Sequence, residues 1–121
     1  ALHRRRNQPV FIDYTAEWCG NCKANEKLVL ETDTVRKAFE ATHVLPVKAD
    51  WTNEDDLIGG WLKELGRSGI PAYAIYMPDG TFDLLPEAIT PSMVEERLQK
   101  AAEKFPNDAF LSVEQACLAE K

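Results

Sequence analysis

A chain of 121 residues suits one domain and hardly two. Its apolar share of 45% is enough for a packed core without disulfide staples, and its formal charge of −6 disfavours nucleic acid as a partner. There is no apolar run of about 18 residues, so nothing in it is expected to span a membrane.

Residues 1–7 read as a solvated tail or linker. Ala1-Leu2-His3-Arg4-Arg5-Arg6 is too polar for a signal-peptide core, and so abrupt a basic start is expected of a domain cut from a longer chain. The run PVFIDYT, 9–15, predicts a central strand buried on both faces, with Pro9 harmless at its opening. Asp13 in its middle is the anomaly. CKANEKLVLET, 22–32, predicts a helix: it lacks Pro and Gly and is rich in good helix formers. A second short helix is expected at 33–42, with Asp33 as cap and Val35, Ala38 and Phe39 on one face. HVLPVKAD, 43–50, reads as a strand that Pro46 confines to an edge or a bulge.

TNED, 52–55, fits a capping box before a helix whose stripe is Leu57, Ile58, Trp61, Leu62 and Leu65. Gly59 and Gly60 weaken that helix and Gly66 is expected to end it. AYAIYM, 72–77, predicts a strand, PDG at 78–80 a turn, and TFDLL, 81–85, the returning arm of a hairpin. Thr90 is expected to cap a last helix with Pro91 at its first position, and with Val94, Leu98, Ala101 and Phe105 inward. FPND, 105–108, breaks it. Residues 106–121 form a tail, expected as a short helix or a frayed end. The order predicts an α/β domain over residues 8–105, its first part a parallel βαβ unit and its last hairpin adding an antiparallel strand.

The stretch AEWCGNC holds two of three cysteines, Cys19 and Cys22. A c-type haem needs His after the second cysteine, where Lys23 stands. Structural zinc needs four ligands, and the further candidates Cys117, His3 and His43 are scattered, so no metal is expected. A purely structural disulfide across so short a loop gains little. A redox dithiol, with no metal or organic cofactor, is the reading that remains. Between a strand end and a helix start, Cys19 would sit where free N–H groups favour a thiolate, the attacking species in disulfide exchange. Cys22, one turn further in, would resolve. Asp13, six residues before Cys19, would have its pKa raised by burial and could accept the Cys22 proton. The alternative is an edge position with Asp13 facing water. In SGIP, 68–71, the Ile70–Pro71 bond is trans by base rate.

FIDYTAEWCGNC together with Gly69-Ile70-Pro71 before a hairpin resembles the thioredoxin superfamily, which implies a thioredoxin-like fold with a central mixed sheet flanked by helices. DYTAEWCGNCKANE, VKADWTNED, LGRSGIPAYAIYMPDG and LLPEAITPSMVEERL resemble more narrowly the C-terminal periplasmic domain of DsbD/ScsB-type thiol:disulfide interchange proteins. That resemblance implies Cys19 as nucleophile and Cys22 as resolving thiol. It implies a cis Pro71 facing the disulfide, and Gly69, Ile70 and Trp18 as docking residues. Asp13 matches the buried acid, Glu26 a second acid near the dithiol, and Lys48 a lysine that offsets the buried charge. Such acids would hold the cysteine pKa values up, against the helix dipole at Cys19. For Glu26 and Lys48 the alternative is surface residues of no consequence, and for Trp18 a core position. The implied partners are a membrane-embedded domain of the same parent chain as electron donor and a periplasmic thiol protein as acceptor, as in cytochrome c biogenesis. The isolated domain is expected to be monomeric. A free-standing periplasmic thioredoxin-like protein and a non-catalytic interaction module are the rival readings. Asn21 stands where thioredoxins carry proline and should shift the reduction potential. Cys117 lies outside the shared pattern, read as a small buried hydrophobe or a free thiol.

Overall fold

The computed structural model describes residues 8–106; the tail helix expected beyond residue 108, Cys117, His3 and Arg4–Arg6 fall outside them. Four strands form one mixed sheet: β1 (Val10–Thr15), β2 (Leu45–Asp50), β3 (Ala72–Tyr76) and β4 (Phe82–Leu85), in the order β2-β1-β3-β4. β1 pairs parallel with β2 and antiparallel with β3, and β3 pairs antiparallel with β4. β1 is interior and five of its six residues are buried, so Asp13 is a core position and not a solvent-facing edge residue. β2 is an edge, as Pro46 requires. Leu45 N–H donates to the Pro9 carbonyl, toward β1, so the ring nitrogen of Pro46 faces outward, where a missing proton breaks no ladder.

Between β1 and β2 the chain forms α1 (Gly20–Asn25), runs on as a π-helical turn (Glu26–Leu30), and then forms α2 (Asp33–Thr42). The π turn is closed by Glu31 N–H reaching back to Glu26 O at 2.8 Å. The single helix expected at 22–32 is therefore two windings, starting two residues earlier. α2 is capped by Thr32, whose hydroxyl accepts from Val35 N–H; Asp33, expected as cap, is the first helical residue. Thr32 has the extended backbone a cap needs.

α3 (Asp56–Glu64) starts from Asp55, whose carboxylate accepts from Ile58 N–H at 3.0 Å. Thr52 is not the cap, because its hydroxyl is engaged by Asp50 and Glu17 N–H. Leu62 and Leu65 of the expected stripe are buried, but Leu57 and Trp61 are exposed. Gly66 ends the helix at φ 78°, donating to Lys63 O. α4 (Pro91–Lys104) begins at the Thr90 cap with Pro91 in its first turn. Phe105 lies just past the helix and is only partly buried.

One sheet face places Phe11, Tyr73, Ile75 and Leu85 against Val29 of the π turn, Val35 and Ala38 of α2, and Val94, Leu98 and Ala101 of α4. The other places Tyr14, Ala49, Ala72 and Ala74 against Leu62 and Leu65. At about 1.5–3 kcal/mol per fully buried large apolar side chain, these two layers fix the strand whose end carries the cysteines.

Candidate functional site

β1 ends at Thr15, and Ala16-Glu17-Trp18 leads into the cap of α1, which is Cys19 itself. Its backbone is extended, and its sulfur accepts from Cys22 N–H at 3.2 Å. Cys19 and Cys22 are joined by a disulfide with Cα atoms 5.3 Å apart. Cys22 is fully buried, while Cys19 keeps 7% of its surface open. Of the two cysteines, only Cys19 therefore keeps any surface open to solvent. Cys22 Sγ lies 3.9 Å from the Tyr14 carbonyl, an acceptor for its proton once reduced. The Ile70–Pro71 bond is cis. Ile70 packs in one apolar cluster with Ala16, Cys19 and Cys22, Pro71 is buried, and Gly69 is half-buried.

Strand alternation puts Asp13 and Thr15 on the same face of β1. Asp13 is 3% exposed, and neither of its carboxyl oxygens has a hydrogen-bond partner among the described residues. Across the sheet it is flanked by Lys48 on β2 and Tyr73 on β3. Burial, then the charge of Glu26, pushes Asp13 up to about 7, against the pull of Lys48 and Lys23. Glu26, the first residue of the π turn, is buried too, but is fully partnered. Thr15 Oγ1 donates to its Oε2 at 2.6 Å, and Lys48 Nζ donates to its Oε1 at 3.3 Å. Burial pushes this carboxyl up, but the Thr15 and Lys48 bonds outweigh it and hold it below its ordinary value. Lys48 is largely exposed, reaching in from solvent to the acid.

Trp18 is not a core tryptophan. It is 53% exposed, its indole N–H donates to the Thr52 carbonyl at 2.9 Å, and it packs on Trp51 with centroids 6.2 Å apart. The AspTrpThr turn thus holds the loop before the dithiol: Trp51 N–H donates to Thr15 O, and Glu17 N–H to Thr52 Oγ1. Glu54, at φ 51°, closes that turn onto Trp51 O. On the far side, Asn25 Nδ2 donates to the Tyr73 hydroxyl and to the Glu87 carbonyl, both at 3.0 Å. Burial, then partly offset by the Asn25 bond, raises Tyr73 to about 12.

All the expected residues, from Asp13 to Pro71, are therefore described, and Cys19, Cys22 and Ile70 meet in one cluster, while Asp13, Glu26 and Lys48 share another. Thr15, Asn25, Trp51, Thr52 and Tyr73 were not foreseen. Thr15 left a trace in the sequence, being two residues from Asp13 in a strand, and Trp51 and Thr52 fall in the VKADWTNED run that carried the narrower resemblance. Among the described residues no group of three or more His, Cys, Asp or Glu could hold a metal ion; His43, weighed as a zinc ligand, ends α2 in a left-handed conformation.

The family model described as thioredoxin-like matches residues 1–78. The thiol:disulfide interchange protein DsbD of Klebsiella pneumoniae is 31% identical over 80 residues, 66% of this chain but only 13% of that protein. The oxidised C-terminal domain of Neisseria meningitidis DsbD superposes with a TM-score of 0.65 at 25% identity, covering 78% of this chain and 80% of that one. A thioredoxin from Thermus thermophilus superposes at 0.68 with 16% identity, covering 87% and 82%. The last likeness bears on fold alone.

Proposed function

The chain belongs to the thioredoxin-like family, and from that premise we propose that it passes two electrons by dithiol–disulfide exchange. Its fold, its likeness to DsbD and the Cys19–Cys22 disulfide support thiol–disulfide chemistry. The observation that carries the reading is the pairing, in one disulfide, of a barely exposed Cys19 at a helix cap with a fully buried Cys22.

In the reduced state the Cys19 thiolate attacks one sulfur of a partner disulfide, and the partner's second sulfur leaves as thiolate. Asp13 takes the Cys22 proton, directly or through one water. Cys22 thiolate then attacks Cys19 Sγ, closes the intramolecular disulfide and expels the partner's other thiolate, so the partner gains two electrons and this chain loses two. A pocket of about 450 Å³, lined by Asp13, Glu26, Lys48 and the apolar Phe11, Phe39 and Pro46, gives the proton on Asp13 a way to water. Trp18 and the Gly69–Pro71 segment form the rim on which a partner docks. The further roles follow the DsbD likeness: a membrane-embedded part of the same parent protein as donor, and a periplasmic thiol protein as acceptor. No helix among the described residues is long and apolar enough to cross a membrane, so that donor would lie outside them.

Trapping tests the chemistry. Cys22→Ser should accumulate a protein-linked mixed disulfide through Cys19, and Cys19→Ser should not; the absence of any adduct would overturn the exchange reading. A glutathione redox titration tests the direction. A midpoint on the reducing side of glutathione is expected, and one far on the oxidising side would contradict the relay.

A further inference from the structure

Two buried acids, Asp13 and Glu26, line one pocket, and only Glu26 accepts hydrogen bonds there. Glu26 has a hydrogen bond on each oxygen; Asp13 has none. The two partners of Glu26 differ in kind. Lys48 is a largely exposed side chain at 3.3 Å, free to trade the carboxylate for water. Thr15 is 6% exposed, its backbone is held at the end of β1 by pairing with Asp50 of β2, and its hydroxyl sits 2.6 Å from Oε2. A threonine hydroxyl has one proton, and here it goes to Glu26. We propose that Thr15 is a positioning residue that assigns the charge within this pair, holding Glu26 as the anion and thereby leaving Asp13 as the group that takes up and releases the proton. This rests on the exchange reading above and deepens it.

The groups facing the pair come from every element around it. Asp13 and Thr15 belong to β1, Lys48 to β2, Tyr73 to β3, Lys23 to α1 and Glu26 to the π turn; Glu31 and, from α2, Arg36 and Glu40 line the same pocket. Lys23 favours ionisation of both acids alike; Lys48 favours both as well, through a bond to Glu26 from an exposed side chain and through its charge alone at Asp13. Tyr73 keeps its proton well above neutrality and its oxygen accepts from Asn25. Thr15 and Lys48 each bond Glu26 and not Asp13, but of the two only Thr15 is buried, at 2.6 Å against the 3.3 Å of the exposed lysine. A carboxylate that accepts a buried hydroxyl is favoured as the anion. Its fixed charge then opposes ionisation of its neighbour, as the upward push of Glu26 on Asp13 records.

The test is Thr15→Val, which keeps shape and removes the hydroxyl, with Thr15→Ser as the conservative rescue and Lys48→Met as contrast. Site-resolved carboxyl titrations by NMR on the oxidised protein are the first readout. Thr15→Val should move Glu26 to higher pH and Asp13 to lower pH; Thr15→Ser should restore both. Lys48→Met should move both upward, so a shared change of field gives a different signature. Unchanged titrations in Thr15→Val, or a shift of both acids in one direction, would overturn the assignment. If Thr15→Val does not fold, the unmodified protein still decides. A slowly exchanging Thr15 hydroxyl proton close to the Glu26 side chain is expected, lost as pH falls through the Glu26 titration, and its absence at neutral pH would refute the proposal. The second readout is the pH profile of exchange with oxidised glutathione, whose acidic limb should follow Asp13 to lower pH in Thr15→Val. Titrations that shift in a protein that exchanges no disulfide would sink the exchange reading and leave the Thr15 assignment standing; the converse would do the reverse.

Discussion

Asp13 and Tyr14 are neighbours on β1, both buried and both titratable, and the sheet treats them in opposite ways. Tyr14 points to the α3 side, where its hydroxyl meets that of Tyr76 at 2.6 Å. Burial, reinforced by this bond, holds the Tyr14 proton far above its ordinary range. Asp13 points to the α1 and α2 side, where the Glu26 carboxyl is its neighbour and no donor reaches its oxygens. Buried polar groups are nearly always satisfied, so the Tyr pair is what stability alone produces. An unpartnered acid on the same strand is kept at a cost in stability. The contrast separates a satisfied buried pair from a buried acid whose oxygens no donor reaches.

The largest effect expected from that contrast is on the pH dependence of stability. Asp13 titrates near 7 in the fold and near 3.8 in an unfolded chain. The native state therefore keeps its proton longer as pH rises, and stability falls between about pH 4 and 7, by on the order of 4 kcal/mol from this group. Glu26 acts with the other sign, its contribution lost in acid. Urea unfolding at several pH values should show Asp13→Asn flattening that fall and exceeding the wild type in stability above pH 7; a variant less stable there would refute the account. The same substitution should slow disulfide exchange at neutral pH by about a hundredfold, the scale of a lost proton acceptor. Insulin reduction checks this, and an unchanged rate would mean that Cys22 sheds its proton elsewhere.

Smaller effects lie on the other face. Tyr76→Phe strands a hydroxyl on the fully buried Tyr14 and should cost about 1–3 kcal/mol. Tyr14→Phe removes the buried partner and leaves the half-buried Tyr76 able to turn toward water, at a cost of about 1 kcal/mol. Both should exchange disulfides at the wild-type rate. Thermal unfolding gives the order of the two costs, and a loss of exchange in either would erase the distinction between the faces.

The dithiol and Asp13 are legible in the linear order because strand, cysteine and helix follow one another within a dozen residues. The strands and most helix ends are legible for the same local reason. Where the reading slipped, two candidates competed and a distant partner decided. Thr32 and Asp33 can both cap; only Thr32 has extended dihedrals. Thr52 looks like a cap until its hydroxyl is seen joined to Asp50 and Glu17, which leaves Asp55 to start α3. Leu57 fits a helical stripe, yet α3 turns only Leu62 and Leu65 fully inward. Thr15 was passed over because its partner sits eleven positions away on a π turn that no periodicity predicts.

The outward-facing nitrogen of Pro46 has a consequence for how this domain meets other proteins. β2 is an open edge, and an extended segment from another chain could in principle lengthen the sheet there. At Pro46 such an intruder finds no donor, and two residues on it finds the exposed Lys48. Strand addition, and the fibrous association it seeds, is discouraged on that side, so a crowded compartment can bring partners to the disulfide rim without offering them the backbone.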